Sequence, residues 1–395
     1  MAPEPRRPGE GESSMERVRQ ATVDLSALRA NFAFARELAG GREVIAVVKA
    51  DGYGHGAPEV ARCLEGEGCE RLAVMTADEA CVLREAGIRG QILILGGLGD
   101  GREAHLAGEY SLAPVVHERE GLALAREAAE KFGRTLAVHL EVDTGMRRMG
   151  TGPEEALALA EAIGADSKLE LDGTYTHFAS ADSPDPKACL EQIRLFRDFL
   201  GALRGRGLTP GTVHAANSSA LLAGPEIEEA LPEADAVRPG LMLYGACSAT
   251  HEDPERRLRP AMSVRARVAA VREITAGEAV GYGSTWRADG PARIATLPLG
   301  YADGVLRSLS NRGEVWLAGG RRPIVGRVSM DSVTVAVLDP RVPVAVGDPA
   351  TFFGLAPEGG PGIRVEAQAE AAGTLAYELL VGVGDRVSRV YVDGE

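Results

Sequence analysis

A single lysine at the end of an apolar run is the residue whose setting first suggests chemistry. Lys49 follows the run VIAVV at 44–48 and precedes ADGYGHG at 50–56. An ammonium group beside apolar side chains loses hydration, which lowers its pKa. A neutral amine can then attack a carbonyl and form a Schiff base. The glycines of this stretch predict a backbone that approaches a bulky ligand closely. The alternative is a surface lysine whose aliphatic stem packs at a strand end.

Eight apolar runs between residues 20 and 250 are the elements that would position such a group. They lie at 44–49, 72–76, 92–96, 112–116, 136–142, 171–178, 212–217 and 236–245. Their apolar residues are mostly consecutive, which is typical of parallel strands covered on both faces. Amphipathic helical segments alternate with them, at 27–38, 76–87 and 187–205 among others. Asp24 and Ser26 are candidate caps of the first helix.

This rhythm predicts an α/β fold, an eight-stranded (β/α)8 TIM-like barrel, with a doubly wound open sheet as the alternative. After about residue 255 the pattern changes to short runs separated by Gly, Pro and Asp turns, which predicts strands. These runs lie at 262–274, 292–300, 313–319, 322–329, 332–339 and 349–355, and a helical pattern lies within 364–382. We therefore expect a disordered N-terminal tail (1–17), a barrel (18–255) and a C-terminal mainly-β domain (256–395).

Composition excludes several classes of protein. The 395 residues carry 43 Lys and Arg against 57 Asp and Glu, a net charge of −14, which argues against a nucleic-acid binder or a polybasic membrane-surface protein. The five cysteines have no metal-ligand spacing, so we expect no metal site, no disulfide framework and a reducing compartment. No apolar run reaches the ~18 residues of a membrane span, and the N-terminus lacks the apolar core of a signal peptide. The sequence thus predicts a cytoplasmic protein.

The segment around Lys49 resembles the pyridoxal-phosphate lysine motif of bacterial alanine racemases. Eight more segments resemble that family in the same order, so the resemblance covers about residues 20–391. The nine segments are VVKADGYGHG (47–56), EVDTGMRRMG (141–150), GTYTHFASAD (173–182), HAANSSALL (214–222), VRPGLMLYG (237–245), VGYGSTW (280–286), LPLGYADG (297–304), PIVGRVSMD (323–331) and LAYELL (375–380). The family fold, an α/β barrel followed by a β-rich domain, agrees with the organisation predicted from periodicity.

The resemblance implies two catalytic residues. Lys49 corresponds to the lysine that binds pyridoxal 5′-phosphate covalently and also moves the Cα proton of the amino acid. Tyr282 corresponds to the opposing base, and racemisation requires bases on both faces of a planar carbanion. Family assignments pair the lysine with the D-enantiomer and the tyrosine with the L-enantiomer. In the family this tyrosine comes from the partner subunit, so a homodimer with shared active sites is implied. Taken alone, Tyr282 would be interpreted as a packed strand aromatic.

Further cofactor contacts are implied by the same resemblance. Arg238 corresponds to the arginine that faces the pyridine nitrogen; because a guanidinium donates but does not accept a proton, that nitrogen would stay unprotonated and the ring would be a weaker electron sink. His177 corresponds to a histidine beside the ring, with Tyr175 and Asn217 in the same hydrogen-bond network. The implied phosphate contacts are Tyr53, Ser218, Gly240, Leu241 and Tyr377.

Three residues are implied at the substrate. Arg148 corresponds to an arginine that contacts the phenolic oxygen of the cofactor and the substrate carboxylate. Met330 corresponds to a residue of a partner-subunit loop whose backbone reaches that carboxylate, and Tyr301 to a residue lining the substrate entrance. One departure concerns Glu141, where many family members have a lysine that can be carbamylated. Because Glu141 already carries the negative charge, we expect it to pair directly with Arg148.

The sequence therefore predicts an alanine racemase that interconverts L-alanine and D-alanine by a two-base mechanism and supplies D-alanine for peptidoglycan. Serine or broad-specificity racemases of the same fold are an alternative within the enzyme class. A second alternative is a non-catalytic pyridoxal-phosphate-binding protein, against which Tyr282 and the β domain argue. A third is an interaction protein with a vestigial barrel, which the intact set of site residues disfavours.

Overall fold

The computed structural model describes residues 18–248 and 257–394, and the predicted tail at 1–17 lies outside this part of the chain. Eight parallel strands close into a barrel. They are β2 (Glu43–Val47), β3 (Arg71–Val74), β4 (Gln91–Ile94), β5 (Ala113–Val116), β6 (Leu136–Glu141), β7 (Leu169–Tyr175), β8 (Thr212–His214) and β9 (Ala236–Val237). Each lies within or overlaps one of the eight apolar runs, so the barrel prediction is confirmed and the open sheet is excluded.

Helices alternate with the barrel strands; the first precedes β2, and the second is a short left-handed turn. They are α1 (Leu25–Ala39), α2 (Lys49–Tyr53), α3 (Ala57–Gly66), α4 (Ala77–Glu85), α5 (Gly101–Tyr110), α6 (Arg119–Phe132), α7 (Pro153–Gly164), α8 (Lys187–Gly205), α9 (Ser218–Leu222) and α10 (Pro225–Ala230). Asp24 caps α1 as expected, because its side chain accepts hydrogen bonds from the backbone amides of Ser26 and Ala27.

The C-terminal part is mainly β, as predicted. Its strands are β10 (Met262–Arg267), β11 (Ala270–Ile274), β12 (Ala279–Val280), β13 (Trp286–Arg287), β14 (Ala292–Leu297), β15 (Glu314–Leu317), β16 (Gly320–Pro323), β17 (Val333–Val337), β18 (Pro349–Phe353) and β19 (Ser388–Val392). Helices α11 (Val365–Ala372) and α12 (Ala376–Val381) occupy the predicted helical segment. The strands form a three-stranded sheet β11-β14-β17, a pair β12-β13 and a larger sheet of order β16-β15-β18-β10-β1-β19.

The first strand of the described chain departs from the predicted division at residue 18. Strand β1 (Arg19–Asp24) pairs antiparallel with β10 and parallel with β19. Its inward residues Ala21 and Val23 are buried in the core of the C-terminal part. The chain therefore contributes one strand to the β-rich part before it enters the barrel, which ties the two parts together.

Within residues 18–248 and 257–394, no helix is both long and apolar enough to cross a bilayer. In the same ranges, no cluster of three or more His, Cys, Asp or Glu side chains is arranged to hold a metal ion.

Candidate active site

The chain makes a left-handed turn directly after β2, and this turn places Lys49 at the barrel mouth. Ala50, Asp51, Gly52 and Tyr53 have φ values of 52°, 54°, 60° and 52°, a conformation that costs about 1–2 kcal/mol for each non-glycine residue. The surrounding structure enforces it: the Ala50 amide donates to Glu79 at 2.7 Å. Backbone strain of this kind concentrates at functional sites.

Two glycines of this segment have a packing role that the sequence did not suggest. A Cβ at Gly54 would lie 2.3 Å from the carbonyl oxygen of Leu380, and one at Gly56 would lie 1.9 Å from the Tyr391 hydroxyl. Both contacts are with the C-terminal part of the chain. These glycines therefore let the lysine loop pack closely against the C-terminal part of the chain.

Lys49 has the electrostatic setting of a nucleophilic amine. Burial lowers the pKa of Lys49; Arg148 and Arg238 lower it further, against an opposing effect of Glu79. Within residues 18–248 and 257–394 the amine makes no hydrogen bond or ion pair. A half-buried, unpaired amine flanked by two cations is shifted toward the neutral form that attacks carbonyls.

Arg238, which follows β9, is held by acceptors in and after the neighbouring strands β7 and β8. Its guanidinium donates to His214 Nδ1 at 2.8 Å and to the carbonyl oxygens of Thr176 and Ala215 at 2.9 and 3.2 Å. It also lies 4.4 Å from the centroid of the Tyr175 ring. Arg238 is the donor in each of the three hydrogen bonds, because a guanidinium has no acceptor.

The hydrogen bonds continue from Arg238 through two buried histidines to a carboxylate. His214 Nδ1 accepts from Arg238, so its Nε2 carries the proton and donates to His139 Nδ1 at 2.9 Å. His139 Nε2 in turn donates to Asp172 at 3.2 Å. Burial lowers the pKa of both imidazoles, and the bond from His139 holds the pKa of Asp172 at about 2. Two neutral rings thus connect a cation to an anion with all donors pointing toward Asp172.

These histidines make the fold sensitive to acid. The unfolded chain takes up protons on them below pH ~6.5, whereas the folded chain does not, so the free energy of unfolding falls as pH decreases. We expect a decline below pH ~6.5 of up to about 1.4 kcal/mol per pH unit for each imidazole. Urea denaturation at several pH values measures it. His139→Leu should reduce the slope, and His105→Asn, at an exposed histidine of α5, should not; an unchanged slope in His139→Leu would contradict the assignment.

The implied phosphate contacts converge beside the lysine turn. Ser218 Oγ accepts from the amides of Gly240 and Met242 at 2.9 and 3.2 Å, which leaves its own proton free to donate. The buried Tyr53 ring lies 4.8 Å from the Tyr244 ring and 5.9 Å from that of Tyr377. In the described part of the chain, the Tyr53 hydroxyl has no hydrogen-bond partner. Leu241 begins a short 3-10 helix at this point.

Such a donor-rich cradle fits the phosphate of pyridoxal phosphate, and the unpaired amine of Lys49 fits its aldehyde. The space is narrow at Gly240, where a Cβ would lie 2.4 Å from the Tyr53 hydroxyl oxygen. We expect Gly240→Ala to displace Tyr53 and to weaken pyridoxal-phosphate binding about tenfold, because one phosphate hydrogen bond to an anion is worth about 1.5–3 kcal/mol. Absorbance titration of the apoprotein with the cofactor measures this. Affinity equal to that of wild type would show that Tyr53 does not bind the phosphate.

His177 and Arg148 lie near the same lysine. Burial lowers the pKa of His177 to about 3, with smaller contributions from Arg238, Arg148 and Lys49, so the ring is neutral and is suited to a supporting role. Its Nδ1 lies 3.4 Å from Arg238 and its Nε2 lies 3.5 Å from the Asn217 amide nitrogen. Arg148 is exposed and, as far as the described residues show, makes no hydrogen bond or ion pair. It is therefore available to an anionic ligand.

The expected pairing of Glu141 with Arg148 was wrong. The buried Glu141 carboxylate accepts from the Tyr175 hydroxyl at 2.9 Å and lies 3.2 Å from His117 Nδ1. No ion pair joins it to Arg148 in the described ranges. A glutamate side chain is shorter than a carbamylated lysine, so its charge stays next to β6 and meets groups from the neighbouring strands.

Tyr282, Tyr301 and Met330 lie apart from the barrel site of their own chain. They are 74%, 45% and 52% exposed, and no hydrogen bond, ion pair or ring contact joins them to the site within the described ranges. They lie close to one another, because the segment 326–330 contacts both turns: the Tyr301 amide donates to the Ser329 carbonyl at 3.0 Å, and a Cβ at Gly281 would lie 3.3 Å from the Arg327 amide.

An ion-pair cluster holds two of these turns in place. The buried Asp303 accepts from the Gly300 amide at 2.9 Å, which closes the turn that carries Tyr301. Arg386 lies 3.1 Å from Asp303 and 2.7 Å from Asp331, next to Met330. A single arginine thus joins the Tyr301 turn to the Met330 turn.

Sequence reasoning missed His214 and His139 in the chain of hydrogen bonds to Arg238, and His117 beside Glu141. The sequence contains a signal for each histidine. His139 and His214 lie within largely apolar strand runs, and His117 directly follows another such run. A histidine in a buried strand needs a partner, and two of them in neighbouring strands can satisfy one another.

Comparisons with known proteins agree with this geometry. The family described as "Alanine racemase, N-terminal domain" matches residues 23–248, and "Alanine racemase, C-terminal domain" matches residues 261–391. The alanine racemase of Carboxydothermus hydrogenoformans is 42% identical over 374 residues, which cover 94% of this chain and 99% of that protein.

Solved structures are similar over nearly the whole chain. The alanine racemase from D-cycloserine-producing Streptomyces lavendulae has a TM-score of 0.89 at 35% identity and covers 97% of this chain and 99% of its own. That of Bartonella henselae, solved with covalently bound pyridoxal phosphate, has a TM-score of 0.83 at 28% identity over 95% of this chain and 100% of its own. Family, full-length similarity and fold agree: this chain belongs to the alanine racemase family of pyridoxal-phosphate-dependent enzymes.

Proposed function

We propose that the barrel site racemises alanine with Lys49 and the partner subunit's Tyr282 as the two bases. The observation that carries this is the unpaired, half-buried Lys49 amine between Arg148 and Arg238. Pyridoxal phosphate, when bound, supplies the electron-withdrawing ring that acidifies the Cα proton of the amino acid. Lys49 binds the cofactor and afterwards moves the proton on one face of the substrate, which its lowered pKa favours near neutral pH.

The other site residues orient the cofactor and the substrate and tune the electronic properties of the cofactor ring. Arg238, held by three acceptors and by the Tyr175 ring, presents a donor to the pyridine nitrogen and withholds a proton from it. This limits the charge that the ring can accept and disfavours transamination. Tyr53, Ser218, Gly240, Leu241 and Tyr377 bind the phosphate. Arg148 binds the substrate carboxylate, and His177 with Asn217 supports the ring.

The second base comes from another copy of the chain. Tyr282, Tyr301 and Met330 form an exposed apolar group on the C-terminal part, and residues of this size are usually covered. A homodimer in which each copy presents this group to the barrel mouth of the other would complete both sites. Tyr282 then acts as the opposing base, the Met330 backbone reaches the carboxylate and Tyr301 lines the entrance.

The D-alanine that this reaction forms would be used for peptidoglycan. We place the enzyme in the cytoplasm. All five cysteines, each in a described range, are free thiols, which suits a reducing compartment.

Conversion of L-alanine to D-alanine by purified protein with added pyridoxal phosphate tests the proposal, with L-serine in parallel. We expect conversion of alanine to exceed that of serine. Faster serine conversion would shift the specificity and keep the site assignments. A protein that binds pyridoxal phosphate and converts neither amino acid would refute the proposed activity.

A further inference from the structure

His117 is a largely buried histidine to which the proposed catalytic scheme gives no role. It follows β5, its side chain is 12% exposed, and both ring nitrogens have partners. Nε2 lies 3.0 Å from the carbonyl oxygen of Leu95. Nδ1 lies 3.1 Å from the Gly150 amide nitrogen and 3.2 Å from the Glu141 carboxylate.

These partners determine where the ring carries its proton. The Leu95 carbonyl can only accept, so Nε2 holds a hydrogen. The Gly150 amide can only donate, so Nδ1 is an acceptor and the imidazole is neutral. A second proton, on Nδ1, would face the Gly150 N–H and would be drawn to Glu141, which accepts only. Protonation therefore exchanges the bond to Gly150 for a pair with Glu141.

Gly150 closes the loop that carries Arg148. The base of this loop is formed by the Asp143 amide, which donates to the Thr151 carbonyl at 2.8 Å. Gly150 has a φ of +78° and no room for a side chain, because a Cβ would lie 2.8 Å from Glu141 Cγ. Arg148 lies two residues before Gly150 and is exposed at the far side of the loop. The bond from Gly150 to His117 is thus a tether between this loop and the barrel wall.

We propose that His117 is a positioning residue for Arg148, acting through the Gly150 amide. The proposal rests on the role of Arg148 as the ligand of the substrate carboxylate. The groups that face the ring are the Glu141 carboxylate from β6, the Leu95 carbonyl after β4 and the Gly150 amide; the Tyr175 hydroxyl of β7 binds the same Glu141 oxygen. Glu141 is thereby the acceptor for the protonated ring, in place of a partner for Arg148.

Binding of propionate, which has the carboxylate and methyl group of alanine but no amine, reports on Arg148 without turnover. Calorimetry on the cofactor-loaded protein at pH 8 measures it. His117→Phe removes both ring nitrogens, and we expect about fivefold weaker binding at pH 8, the equivalent of one hydrogen bond. His117→Asn keeps an acceptor near the Nδ1 position, so we expect wild-type affinity. His105→Asn, on α5, should behave as wild type.

The tether can be observed directly. Met149–Gly150 is the one Met-Gly dipeptide of the sequence, so labelling methionine carbonyls with ¹³C and glycine amides with ¹⁵N selects the Gly150 signal. We expect the Gly150 amide proton to move upfield in His117→Phe at pH 8. We expect it to stay in place in His117→Asn. A Gly150 signal that His117→Phe leaves unchanged would overturn the inference.

Arg148→Gln separates this inference from the function on which it rests. It should weaken propionate binding about tenfold or more, and the double variant His117→Phe/Arg148→Gln should bind as weakly as Arg148→Gln alone, because one residue acts through the other. If Arg148→Gln binds propionate as wild type does, the proposed role of Arg148 fails and the role of His117 fails with it. If Arg148→Gln weakens binding and His117→Phe does not, or if the two losses add, only the His117 inference fails.

Discussion

Replacing Lys49 by alanine is expected to lower the rate of alanine racemisation by more than about 10⁴-fold, because the variant loses both the covalent attachment of the cofactor and one of two bases. The lowered pKa of Lys49 is the physical reason for proposing this lysine as the reactive one. The tyrosines and the serine that we propose as phosphate ligands are unchanged in the variant, so we expect it to retain pyridoxal phosphate with reduced affinity.

Two measurements check this expectation. Polarimetry of D-alanine formation gives the rate, and mass spectrometry after hydride reduction shows whether the cofactor is attached covalently. Lys131→Ala is the matched control, since Lys131 is exposed in the last turn of α6, and it should keep both the rate and the mass increase. A mass increase that persists in Lys49→Ala would assign the attachment to a different lysine.

Replacing Tyr282 by phenylalanine is expected to lower kcat about 10²–10⁴-fold, the range that a positioned general acid or base contributes, while cofactor binding and the dimer persist. Tyr282 is 74% exposed and lies between Gly281 and Gly283. It begins a short 3-10 helix. Loss of one hydroxyl from an exposed ring should barely alter the free energy of unfolding. The effect should therefore appear in turnover, with unchanged cofactor absorbance and melting temperature.

Mixing the two variants tests whether the bases come from different subunits. In a dimer of one Lys49→Ala chain and one Tyr282→Phe chain, one of the two sites would combine Lys49 of one chain with Tyr282 of the other. Random exchange makes half of the dimers mixed, so about a quarter of wild-type activity should return from two inactive proteins. No recovery after exchange, confirmed by native mass spectrometry, would place both bases within one chain.

Much of this protein could be predicted from local pattern. The eight barrel strands were found because parallel strands buried on both faces need consecutive apolar residues, and such runs survive in the sequence regardless of what packs against them. Lys49 was found because it directly follows one of these runs. The other site residues came from a resemblance whose motifs are each short and contiguous. A contiguous motif fixes residue identity and local backbone, which is why these assignments could be made before the fold was known.

The tertiary structure alone decided which distant groups meet. Strand β1 alternates like many half-buried strands, and only the closed barrel, which has no free edge, explains why it pairs with β10 and β19 of the C-terminal part. Glu141 was expected to reach Arg148, but its short side chain meets Tyr175 and His117 from the neighbouring strands. Periodicity encodes burial and local conformation, whereas a partner chosen over a few ångströms depends on strand register and side-chain length. The sequence by itself thus determined the barrel and the place of Lys49 after its first strand, and the packing of strands determined which groups contact Arg238 and Glu141.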